Sequence, residues 1–206
     1  LELARGVSVS YWNGSDEDAS EVRHTVANEM ATSNLKSAQE MFGLQLHETY
    51  YYINSNPELE TLKPIRVGLH AKDPQVRMTA LNMLNERKTT PASKVAIFSE
   101  VMTNDNDKDM RAMAFNIAKD SLLHSETEKE WKESRALIEA FFSLLKRKEN
   151  SDIHSDVQNA IDFYFIGADL NVKLVLNDFV SDSDPLVAEV ARTKFDEVVT
   201  DYLSRS

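Results

Sequence analysis

The chain has 206 residues, 42% apolar and 28% charged, and its 34 acids outweigh 23 Lys and Arg to leave a net charge of -11. That length buries a sizeable core, but five Gly and five Pro are too few for the many tight turns of a barrel or sandwich. With no Cys, no apolar run near the ~18 residues of a membrane span and an excess of acid, the chain reads as soluble, without disulfide, thiolate zinc or membrane insertion, and unsuited to nucleic acid.

Residues 1–14 form a separate N-terminal arm by pattern. Val7, Val9 and Tyr11 alternate with Ser8, Ser10 and Trp12, the period of an extended strand, and Asn13-Gly14 marks a turn. The first residue is Leu, the start expected of a processed or excised form, and either redox compartment is compatible with the absence of Cys. From Ser15 the period becomes helical. Val22, Val26 and Met30 make one stripe, and a second helix is predicted from Leu35 to about Thr49, followed by Tyr50, Tyr51 and Tyr52. Breaks are predicted near 71–73, 89–91, 104–107, 125, 149–152, 167–169 and 181–184. Helices of 10–20 residues joined by such short connections are antiparallel neighbours. No stretch resembles a flexible linker, so residues 15–206 read as a single domain of about four to five helix pairs.

An internal repeat is the most informative feature. Asp73-Pro74-Gln75-Val76-Arg77-Met78-Thr79-Ala80 matches Asp107-Lys108-Asp109-Met110-Arg111-Ala112-Met113-Ala114 and Asp184-Pro185-Leu186-Val187-Ala188-Glu189-Val190-Ala191. A weaker copy runs from His154 to Ile161, and Glu21 to Val26 is a fifth candidate. Each position has a physical role. Asp73 and Asp184 suit an N-cap, and Pro74 and Pro185 suit the first helical position. Val76, Met110, Val157 and Val187 begin a buried face, and Ala80, Ala114 and Ala191 allow close helix approach one turn later. Asp105, Asp182 and Asp152 stand two residues before the cap positions. The anchors are spaced by 34, 47 and 30 residues, the irregularity of paired-helix repeats with insertions in their loops.

These stretches resemble the HEAT repeat family, in particular its bacterial form with an Asp-x-Asp-Pro-x-Val-Arg-x-x-Ala motif on the second helix. The resemblance covers roughly residues 57–204, with 15–53 as a degenerate first pair. Departures are Ala188 in place of Arg, Ala71 in place of the upstream Asp, and the missing Pro, Arg and Ala of the 154–161 copy. It implies an all-α, right-handed superhelical stack of antiparallel helix pairs, a HEAT-like α-solenoid. Arg77 and Arg111 would then lie near loop aspartates such as Asp105 and reinforce the stacking.

No catalytic, cofactor or metal residues are assigned. Asp105-Asn106-Asp107-Lys108-Asp109 opens like a calcium loop, but an EF-hand needs Gly and Glu where Met110 and Asn116 stand. The histidines are His24, His47, His70, His124 and His154, and no pair has metalloprotease spacing; His47-Glu48 is a single copy of a motif that HEAT-repeat hydroxylases use several times. Lys146-Arg147-Lys148, the one basic cluster, ends a helix, where cations meet the dipole favourably. Phe163, Tyr164, Phe165 and Ile166 read as core of the third pair.

The expected class is a noncatalytic interaction or scaffold domain whose acidic curved surface takes a protein or peptide with a basic surface. The alternative is an enzyme or small-molecule binder of the HEAT-like lyase or glycosylase type, with a pocket between repeats. The expected contact positions are Asn82, Glu86, Glu189 and Asp196 on the outward side of the second helices, with simple solvation as the competing reading. Tyr50, Tyr51 and Tyr52 read either as a helix end packed on the next pair or as an exposed aromatic patch.

Overall fold

The structure is a computed structural model that describes residues 27, 29–36, 38–40, 43, 65–86, 91–123, 135–165 and 170–205. The arm 1–14, Tyr50–Tyr52 and three of the histidines (His24, His47 and His124) lie outside the described residues. Regular structure among the described residues is entirely helical. No described helix is long and apolar enough to cross a membrane. Two compact units divide the chain, Leu1–Thr90 and Pro91–Ser206.

In the first unit a helical stretch over 65–69 leads through a short break at 71–73 into α1, Pro74–Glu86. Asp73 starts α1 as a cap: its Oδ1 accepts the Gln75 amide at 2.8 Å. Ile65, Val67, Leu69 and Ala71 are buried with Val76, Ala80, Leu81 and Leu84, so the expected apolar stripe of α1 is the one that faces inward. The break is tied to residues 31–34 by the Lys72 amide on the Ala31 carbonyl at 3.0 Å and by the Lys72 ammonium on Asn34 Oδ1 at 2.6 Å. Gly43 backs closely on Val76. A Cβ at Gly43 would stand 3.2 Å from Val76 Cγ2, so the absence of a side chain there permits the approach.

The second unit holds α2 (Pro91–Asn104), α3 (Lys108–Leu123), α4 (Arg135–Lys146), a 3-10 segment (Lys148–Ile153), α5 (His154–Phe165), α6 (Leu170–Phe179) and α7 (Pro185–Arg205). The breaks at 104–107, 149–152 and 181–184 fall where local sequence places them. Helix α2 packs on α3 and on α4, α4 packs on α5, α6 and α7, and α6 packs on α7. Val95, Ile97, Phe98, Val101 and Met102 are buried around most of α2, and Leu137, Ile138, Phe141, Phe142, Leu144 and Leu145 do the same for α4. Aromatic contacts join these layers: Phe115 meets Phe141 edge-on at 5.5 Å, and Phe142 stacks on Phe179 at 4.5 Å.

The repeat anchors behave alike. Val76, Met110, Val157 and Val187 are all buried, and Ala80, Ala114 and Ala191 have no exposed surface at all. One residue departs from expectation. Phe163, predicted to be core, is 52% exposed, because it falls on the solvent side of α5, two residues beyond buried Ile161. The third copy departs too. Where the others have an Asp-capped turn, residues 148–153 coil into a 3-10 segment that runs directly into α5. His154 stands where the other copies have the capping Asp, so that copy lacks the carboxylate acceptor that starts the other helices.

Candidate interaction surface

The turns that launch α3 and α7 are built by two successive aspartates. Asp105 Oδ1 accepts the Asp107 amide at 2.8 Å, and Asp107 Oδ1 accepts the Asp109 amide at 2.9 Å. The same relay recurs before α7, with Asp182 Oδ1 on the Asp184 amide at 2.9 Å and Asp184 Oδ1 on the Leu186 amide at 3.0 Å. Carboxylates used this way satisfy amides that a helix start leaves unpaired. They explain the acidic run 105–109 as turn chemistry.

Each repeat arginine reaches back over its own turn. Arg77 Nη1 donates to the Ala71 and Lys72 carbonyls at 3.0 Å each, and Arg111 Nη1 donates to the Asp105 carbonyl at 2.7 Å. Arg111 thus lies beside Asp105, as expected. The hydrogen bond goes to the main-chain carbonyl of Asp105, and the carboxylates of Asp105 and Asp107 act on the guanidinium through their charge. Arg111 does more. Its Nε donates to Asn150 Oδ1 at 2.8 Å and its Nη2 to Glu149 Oε1 at 3.0 Å, while Asn150 Nδ2 donates to the Lys108 carbonyl at 3.1 Å. Arg111 and Asn150 are both 1% exposed. Burial pulls the guanidinium pKa down and the nearby Arg147 adds to this, opposed by Glu149, Asp105 and Asp107. Every turn atom that Arg111 touches is an acceptor, the arrangement a buried cation needs.

Further polar bonds align the first helices. Arg147 Nη2 donates to the Thr103 carbonyl at 2.6 Å, at the C-terminal ends of α2 and α4. The Lys146 ammonium meets Asp182 Oδ2 at 2.6 Å just beyond the end of α6. The basic cluster 146–148 therefore closes helix ends. Burial pushes the Asp182 carboxyl up, but the Lys146 hydrogen bond and the Asp184 amide outweigh it and hold the carboxyl below its ordinary value. On the other side, buried Lys194 of α7 bridges Asp162 of α5 at 2.9 Å and Glu197 of its own helix. Burial lowers that ammonium pKa, and the two carboxylates more than restore it.

Charge is unevenly spread over what remains. On the described side chains of α2, α4 and α6, Lys94, Arg135 and Lys146 match Glu100, Glu139 and Asp178. On α3, Lys108 and Lys119 match Asp109 and Asp120, besides buried Arg111. On α5 and α7, Asp156, Asp162, Glu189, Asp196, Glu197 and Asp201 outweigh Arg192 and Lys194 among the described side chains. Lys194 is consumed by its two carboxylates, and Arg192 Nε is on the Val180 carbonyl at 3.2 Å.

Of the contact positions predicted from sequence, Asn82 is exposed on α1, and Glu189 and Asp196 are exposed on α7. Glu189 and Asp196 are two helical turns apart, about 10 Å along one side of α7. Glu86 is the last residue of α1, and its side chain lies outside the described residues, as do Tyr50, Tyr51 and Tyr52. The exposed positions Asp156, Asn159 and Phe163 of α5 were not among those predicted. Their spacing of three and four residues is itself a helical stripe, but Phe163 stands in a run of four apolar residues that hides it. Of the five histidines, His70 is exposed and His154 half-buried, with its Nε2 at 3.2 Å from the Arg147 carbonyl.

Compared with known proteins, the chain matches no family model, no curated protein and no solved structure.

Proposed function

We propose that this chain is a noncatalytic interaction or scaffold domain: a right-handed, HEAT-like superhelical stack of antiparallel helix pairs whose second helices offer an acidic face to a protein or peptide with a basic surface. The observation that carries this reading is the acid excess on α5 and α7, the last two of these second helices, beside balanced charge on α2, α3, α4 and α6. A one-sided field steers an oppositely charged partner and fixes which face it meets. The stacking itself is supported by the packing of α4 on both α2 and α6 and by the Arg147 and Lys146 bonds at successive helix ends. Repeats that contact only their neighbours leave such a face extended and free for binding. The proposed contacts are Glu189 and Asp196 on α7 and Asn82 on α1, with Glu86 and Tyr50–Tyr52 added from sequence.

The test is capture from a native extract by the wild-type chain and by a variant carrying Asn82→Lys, Glu86→Lys, Glu189→Lys and Asp196→Lys. Mass spectrometry of the wild-type capture is expected to return a protein with a basic surface, lost or reduced about tenfold with the variant. Equal capture by a correctly folded variant removes these positions from the interface.

A further inference from the structure

We draw no further inference here: the strongest candidate, the solvent-facing stripe of Asp156, Asn159 and Phe163 on α5 beside the acids of α7, belongs to the surface already described, and nothing in the structure shows what covers its exposed ring.

Discussion

Arg111 Nε donates to Asn150 Oδ1 at 2.8 Å across 39 residues of chain, with both side chains 1% exposed. This bond joins the start of α3 to the 3-10 segment that follows α4. Together with the Asp105 carbonyl and Glu149 it makes Arg111 a polar fastening between α3 and the segment after α4.

Removing that fastening leaves buried acceptors unpaired. Arg111→Ala is expected to cost about 3 kcal/mol in urea unfolding, since an orphaned buried polar group costs ~1–3 kcal/mol and packing is lost as well. Arg111→Lys keeps the charge but loses the fork, so it should recover less than half of that loss. Asn150→Ala combined with Arg111→Ala should cost clearly less than the sum of the two single changes.

Ser99 supplies the opposite case. Its Oγ is buried on α2 without a hydrogen-bond partner among the described residues. Ser99→Ala removes an unsatisfied hydroxyl and creates almost no cavity, so thermal unfolding should show equal or higher stability, by up to about 1 kcal/mol. A loss above that amount would mean the hydroxyl is bonded.

Asp182 makes acid stability measurable. Its folded-state pKa lies below the ordinary value of 3.8, so the folded chain holds fewer protons at that site than the unfolded chain. The contribution is therefore complete above the unfolded pKa and is lost as pH falls through the folded one. Asp182→Asn keeps an oxygen for the Asp184 amide but puts an NH2 donor in place of the Oδ2 that accepts from Lys146, so both the charge and that hydrogen bond are lost. The variant should be about 1 kcal/mol less stable than wild type near neutral pH. That gap should close as pH is lowered below about 4, followed by fluorescence-detected urea unfolding.

Local chemistry made most of the fold readable. Asp73, Asp107 and Asp184 cap their helices because an N-cap depends on neighbours two residues away, and Val76, Met110 and Val187 are buried because a helical stripe repeats within one turn. What escaped depends on distant register. Asn150 looks like an ordinary loop amide until the chain brings it to Arg111, and Lys146 looks like a dipole partner until Asp182 stands beside it. Phe163 was misplaced because its run, Phe163-Tyr164-Phe165-Ile166, is apolar at every position and carries no period to say which side faces water. Ala188 keeps the main-chain bond of its repeat, its amide on the Asp184 carbonyl at 3.0 Å, as Arg111 does on Asp107 at 3.2 Å. The backbone turn is thus set by the aspartates and persists without the arginine.

The most direct measurement of the proposed role is the affinity of the captured partner for wild type and for the Glu189→Lys, Asp196→Lys double variant, at about 50 and 300 mM salt. Both positions are exposed, so unfolding curves should coincide within about 0.5 kcal/mol. Binding through the acidic face of α5 and α7 predicts that wild-type affinity falls as salt rises, and that the double variant binds at least about tenfold more weakly at low salt. Equal affinities for the two proteins, with no dependence on salt, would contradict it.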